Sequence, residues 1–297
     1  MKKIETLIEK ACREVAGFRE VISKLEQKII LSGGSKKTLE EYSRKLASVS
    51  LHFKKLPHLV TEDQIEEYLY SLTQSSKSPS RSSLKHTVYG LRYYYRSLGY
   101  EKRAIKLPKF KKETKLPVVL NRQECKKLFS APDILKHRVI LSLIYSAGLR
   151  VGELCRLKIG DIDSGRMMIH IRQSKYKKDR YLPLSPLILE GLRSYYKESK
   201  PVEWLFNGKD SSVPITPRAV EWIMREAVKK AKIQKTVSVH TLRHSYATHL
   251  LEDGMDIVSI KELLGHSNID TTLVYLHVFK PERSNLFSPF DRLYSIG

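Results

Sequence analysis

Four segments carry side chains able to do chemistry, at spacings that could bring them together. Tyr145-Ser-Ala-Gly-Leu-Arg150-Val-Gly-Glu153 sets an arginine beside a glycine turn, with a carboxylate three residues on and on the same face once a helix has begun. The polar stretch from Gln173 to Arg180 holds Lys175, a proton donor or one more phosphate contact beside its neighbours Lys177 and Lys178. His240-Thr-Leu-Arg243-His244 presents a cation and an imidazole three residues apart, so that a helix would aim both at one small target. Leu263-Leu-Gly-His266 then runs through a helix end at Gly265 and a short turn to Tyr275. Taken singly, each has a plainer reading: a surface ion pair for Arg150 and Glu153, a phosphate contact for Lys175, a core or interface aromatic for Tyr275. A zinc site of the His-Glu-x-x-His kind is excluded at His240, because the central glutamate is absent.

The elements that must position these residues fall into two groups. Over the first hundred residues, Ile4, Leu7, Ile8, Ala11, Val15, Phe18, Ile22 and Leu25 recur at three- and four-residue steps, which predicts one amphipathic helix stopped by Ser32-Gly33-Gly34-Ser35. A second helix carries Leu39, Tyr42 and Leu46. A third opens at Thr61 with Gln64 three residues on, a reciprocal capping pattern, and a fourth carries Leu84 to Leu98 and ends at Gly99. The serine-rich stretch from Thr73 to Ser83 reads as a loop. Lys106 to Pro117, a proline-bounded lysine run without apolar period, reads as an extended linker. The expected organisation is therefore a helical domain at 1–106, a linker at 107–117 and a second domain at 118–297.

In that second domain Asn121 is an N-cap for a helix through Phe129, and Ile134 to Ser146 is apolar enough for a buried helix. Met167 to Ile171 and Tyr181 to Leu184 read as two short strands joined by the lysine-rich turn, with helices resuming at Pro186–Glu198, Arg218–Lys232 and Leu242–Leu251. The fold class is mainly α (α+β): a helical N-terminal domain and a mostly helical second domain with a small antiparallel sheet.

Composition narrows the partner. The 297 residues include 54 Lys and Arg against 32 Asp and Glu, a formal charge of +22, spread along the whole chain rather than gathered in a tail. Such an excess repels itself unless a polyanion offsets it, and positive charge along a long path suits a protein wrapped around nucleic acid; a ribosome-associated or membrane-surface protein shares the charge. No apolar run is long enough to cross a bilayer, and no apolar h-region or small-residue cleavage site follows Met1, so a cytoplasmic protein is expected. Cys12, Cys125 and Cys155 lie far apart without Cys-x-x-Cys or metal spacing, as buried or half-buried thiols do.

Joined in order, Gly148-Leu149-Arg150, the lysine turn, His240-Thr-Leu-Arg243-His244, Leu264-Gly265-His266-Ser267 and Tyr275 resemble the tyrosine recombinase or phage-integrase family, including its Xer-type members. The resemblance covers the whole second domain and extends loosely over the first, which looks like the family's core-binding domain. It implies a catalytic set of Arg150, Lys175, His240, Arg243, His266 and Tyr275, with Lys177 the rival to Lys175 and Glu153 orienting Arg150. The implied reaction is cleavage and rejoining of DNA strands through a 3′-phosphotyrosine, without metal or cofactor, for integration, excision or resolution. The partners it implies are duplex DNA with a specific recombination site and a homo-tetramer, or a tetramer completed by a related recombinase, on two duplexes. The apolar tail residues Phe279, Leu286, Phe287, Phe290 and Leu293 would dock on a neighbour, or fold back on their own domain. A type IB topoisomerase and an inactive DNA-binding relative are the rival readings.

Overall fold

A computed structural model describes residues 5–74, 81–108, 116–172 and 179–277. The chain divides into two units, Met1–Glu113 and Thr114–Gly297. The division falls inside the lysine run, whose middle, 109–115, lies outside the described residues.

The first unit holds helices α1 (Leu7–Glu14), α2 (Phe18–Leu31), α3 (Lys36–Phe53), α4 (Glu62–Gln74), α5 (Arg81–Ser97) and α6 (Glu101–Lys106). The single first helix expected from the apolar stripe is in fact two. Thr6 and Glu9 cap α1 reciprocally, and α2 restarts after Gly17, which takes the left-handed conformation at φ +77°. The stripe hides this break because Ala11, Val15, Phe18, Val21, Leu25 and Ile29 all reach one core on either side of it. At α4 the capping pattern forms in both directions: the Thr61 amide donates to Gln64 Oε1 at 3.0 Å and the Gln64 amide to Thr61 Oγ1 at 3.3 Å. Helix α6 went unforeseen, being too short for a periodicity argument. Arg92 secures its end by donating to the carbonyls of Ala104 and Leu107, each at 3.2 Å.

The second unit begins with α7 (Arg122–Ser130), which Asn121 and Glu124 cap reciprocally, and α8 (Leu135–Ser146), whose Val139, Ile140, Leu141, Leu143 and Ile144 are buried. A short α9 (Val151–Cys155) leads to strands β1 (Ile162–Asp163), β2 (Met168–Ile171) and β3 (Arg180–Pro183), an antiparallel sheet in sequence order with Ile169 opposite Leu182 and Ile171 opposite Arg180. The first of these strands adds to the two foreseen; at two residues it is too short to show alternation. Helices α10 (Pro186–Ser199), α11 (Pro217–Lys230), α12 (Val239–Glu252), α13 (Ile257–Leu264) and α14 (Asp270–Leu273) follow, then a tight 3-10 turn over Val274–His277. Helix α12 is buried on nearly every side, with Val239, Leu242, Arg243, Ser245, Tyr246, Ala247, Thr248, His249 and Leu251 all inside. A helix enclosed in this way cannot tilt or slide without opening the core, so the polar groups it carries are held firmly. Among the described residues no helix is long and apolar enough to cross a membrane. Cys125 and Cys155 are buried thiols, each pushed up to about 11 chiefly by burial, which leaves them inert.

Candidate active site

The site is built around the C-terminal end of α13. A helix end leaves its last carbonyls without intrahelical partners, and here three successive ones each receive a different arginine. Arg180 Nε donates to Leu263 O at 3.1 Å, Arg243 Nη2 to Leu264 O at 2.5 Å and Arg150 Nη2 to Gly265 O at 3.0 Å. The arginines come from three elements: β3, the middle of α12 and the residue just before α9.

One carboxylate sits at their centre. Glu153, with a side chain only 2% exposed, accepts from Arg150 Nη1 at 2.7 Å and from the Arg150 amide at 2.9 Å, takes both Nη atoms of Arg180 at 2.9 Å, and lies 4.0 Å from Arg243. Burial on its own would raise this carboxyl. Hydrogen bonds and charge from Arg180, with the amide and charge of Arg150, bring it down to about 2 instead. Three guanidiniums around one carboxylate still leave a positive excess in a place that excludes water, and this favours an incoming anion.

Two glycines make the convergence possible. Gly148, at φ +56°, lies so close to α12 that a Cβ there would meet Tyr246 Cδ1 at 2.5 Å, and its carbonyl accepts from Arg243 Nη1 at 2.6 Å. Gly265 ends α13 at φ +62°, with the Arg180 guanidinium 3.2 Å from where a Cβ would be.

Arg243 itself is fully buried, and its Nε is a buried donor with no partner among the described residues. Burial lowers its pKa to about 10, with Arg150 adding to the effect and Glu153 opposing it, so it stays charged at neutral pH. An orphaned N–H on a buried cation costs stability, and an anionic oxygen is the group that would satisfy it.

Tyr275 lies in the 3-10 turn after α14, 2% exposed and packed in a small cluster with Tyr246, Ala247, Leu251, Ile260 and Leu264. Its phenol feels Arg243 and Arg150, which pull its pKa down against the larger upward push of burial; the net shift is upward. Both plain and chemical readings of this residue therefore meet in one place: it is a core aromatic, and its hydroxyl faces the arginines' field. That hydroxyl lies 3.1 Å from His244 Nδ1. His266 is held through Nδ1 by Thr272 Oγ1 at 2.9 Å, and His240 sets its ring edge-on to His244 with centroids 4.5 Å apart. Burial, then the nearby arginines and histidines, hold His266 at about 3 and His244 at about 4, and lower His240, so all three are neutral at pH 7.

Of the residues expected at the site, Arg150, His240, Arg243, His266 and Tyr275 are thus gathered around α12 and the end of α13. Lys175 and its rival Lys177 lie outside the described residues, as do the tail residues Phe279, Leu286, Phe287, Phe290 and Leu293. Sequence reasoning passed over Arg180, which looked like the last charge of a polar run, and gave no role to His244. The signal for His244 was present: it stands four residues after His240, on the same helical face.

Residues 118–282 match the phage integrase family, and residues 21–104 match the phage integrase N-terminal SAM-like domain. The chain belongs to the phage integrase family as a Xer-like tyrosine recombinase. It is 35% identical to the tyrosine recombinase XerA of Pyrococcus horikoshii over 90% of this chain and 92% of that one. A crystal structure of XerA recombinase superposes with a TM-score of 0.52 at 30% identity, covering 88% of this chain and 94% of that one. The Tn1549 transposon integrase, solved with circular intermediate DNA, shares the fold with a TM-score of 0.70 at 18% identity, over 91% of this chain and 96% of that one.

Proposed function

We propose that this tyrosine recombinase cleaves and rejoins DNA at a specific site, with Tyr275 as the nucleophile and a 3′-phosphotyrosine as the intermediate. The observation that carries the reading is the buried Arg243, whose Nε, without a partner among the described residues, sits in a positive excess shared with Arg150 and electrostatically coupled to the Tyr275 phenol.

A DNA phosphodiester repels nucleophiles, and its substitution requires stabilising charge that grows on the non-bridging oxygens. Arg150 and Arg243 do this as permanent cations with planar donor forks, oriented before the substrate arrives by Glu153 and the carbonyls of Gly148, Leu264 and Gly265. The Tyr275 oxygen attacks phosphorus and the 5′-oxygen departs, taking a proton from Lys175 or from Lys177, its rival in the same turn. His240 and His266 assist through hydrogen bonding or proton transfer as the phosphate is attacked. The phosphotyrosine retains a phosphodiester's energy, so a 5′-hydroxyl from a second strand reverses the step and rejoins DNA.

On this reading residues 1–106 clamp the duplex, the linker at 107–117 crosses it, and 118–297 carry the chemistry, with the apolar tail docking on a neighbour. Four copies act on two duplexes in the cytoplasm. The +22 formal charge supports a long phosphate-binding path.

The test is covalent capture. The full chain and Tyr275→Phe are incubated with fragmented genomic DNA of the host in chelator, denatured, and the attached DNA is sequenced. Adduct from wild type alone, at one recurring sequence, is the expected result. Adducts at scattered sites mark a topoisomerase, equal capture by Tyr275→Phe removes the nucleophile, and no adduct from wild type leaves only a DNA-binding relative.

A further inference from the structure

The three site histidines do different jobs, and only one is hydrogen-bonded to Tyr275 among the described residues. His266 is committed to Thr272, and His240 packs against another ring. His244 brings Nδ1 to 3.1 Å from the Tyr275 hydroxyl, with ring centroids 5.7 Å apart at 59°, so the contact lies at the ring edge where the nitrogen lone pair is. Its place on α12 is enforced on both sides by the buried Arg243 and Ser245.

The two environments set the protonation of the pair. Burial, with His240 and Arg243 nearby, keeps the imidazole neutral, and burial keeps the phenol protonated. In the tautomer that carries the ring proton on Nε2, the phenol donates and Nδ1 accepts.

We propose that His244 is a further catalytic residue, whose Nδ1 takes the Tyr275 proton as the phenol oxygen attacks the DNA phosphate. This rests on Tyr275 being the nucleophile. In the step, the Tyr275 O–H bond breaks and an Nδ1–H bond forms. The freed electron pair makes the O–P bond, and the P–O5′ bond breaks with its pair leaving on the 5′-oxygen, which takes its proton from Lys175 or Lys177 as proposed above. Rejoining runs the transfer backwards, the imidazolium returning its proton to the tyrosine oxygen.

The resting basicity of His244, at about 4, holds the proton on oxygen until attack begins. As the O–P bond forms, the phenol oxygen becomes steeply more acidic and negative charge grows on the phosphate, so a weak base already in hydrogen-bond contact is sufficient. The same low value keeps Nδ1 free to accept a proton throughout the neutral range.

The full chain tests this by a time course of covalent capture on fragmented host DNA, beside filter retention of DNA and a melting curve. His244→Leu removes the acceptor at nearly constant size, His244→Asn keeps an acceptor near the Nδ1 position but takes no proton, and His244→Ala leaves room for added imidazole. The expected result is adduct formation at least tenfold slower in all three, with DNA retention and melting unchanged. Imidazole should restore the alanine variant at a rate that rises with pH through about 7. Wild-type rates from His244→Leu remove any role, wild-type rates from His244→Asn reduce the ring to an orienting contact, and failure of imidazole to restore the alanine variant excludes proton transfer. Capture by Tyr275→Phe, or none by wild type, defeats the nucleophile assignment instead, so the two failures are distinct.

Discussion

Arg103 in the N-terminal unit and Arg243 in the C-terminal unit both lodge a guanidinium among backbone carbonyls, and they differ in what is left over. Arg103 donates to the carbonyls of His58 and Val60, places Nε 3.2 Å from Glu62, and lies over the Tyr95 ring at 5.3 Å. Every nitrogen has a partner, and a carboxylate matches the charge. Arg243 is more deeply buried, shares one carboxylate with two other arginines, and keeps an Nε with no partner among the described residues. A fully satisfied cation staples a fold together, whereas one with an unmet donor and unmatched charge holds a place for a ligand.

The largest effect belongs to Arg243→Lys, which keeps the charge and loses Nε and the fork. We expect single-turnover adduct formation to slow by roughly 10²- to 10³-fold, on the scale of losing an oriented donor to a developing oxyanion. Arg103→Ala is expected to lower the stability of the N-terminal unit by about 2 kcal/mol, read by urea unfolding, with adduct formation by folded protein within about twofold of wild type. Equal effects of the two changes on chemistry would end the distinction.

Gly148→Ala moves the support of Arg243 rather than Arg243 itself. An L-residue at φ +56° with its Cβ 2.5 Å from Tyr246 should destabilise the C-terminal unit by about 2–4 kcal/mol, and should slow adduct formation as well because the carbonyl beneath Arg243 shifts. Loss of stability without loss of rate would show that Arg243 does not depend on that carbonyl.

The smallest effect is on pH. His244 and His266 have folded-state pKa values of about 4 and about 3, below the ordinary value of 6.5. Below pH 6.5 the unfolded chain therefore takes up protons first, and the stability these groups confer, complete above 6.5, drains away as pH falls towards about 3. The melting temperature of the C-terminal unit should drop by several degrees between pH 7 and about 4.5. His266→Asn should flatten that drop, and an unchanged slope in this variant would place the titration elsewhere.

Much of the molecule was legible residue by residue. Caps such as Thr61 with Gln64 and the N-cap at Asn121 are local, since three residues suffice to form them, and both are in place. The apolar helix at Ile134–Ser146 was visible because burial leaves a compositional trace. The break at Gly17 was not, because an apolar stripe that continues through a turn looks the same as one that does not. At the site, Arg150, His240, Arg243, His266 and Tyr275 could be named from their motifs. Arg180 could not, because its partners Glu153 and Leu263 are 27 and 83 positions away along the chain.

Residue types, the helical frame and the basic charge are readable from the sequence, because they depend on side-chain chemistry and short-range spacing. That three arginines share the end of α13, that Arg243 keeps one donor unmet among the described residues, and that His244 rather than His240 or His266 meets Tyr275 emerge from the tertiary structure alone. Those facts depend on how α12, α13 and the turn bearing Tyr275 pack, and a hydrogen bond decided over tenths of an ångström leaves no trace in the spacing of letters.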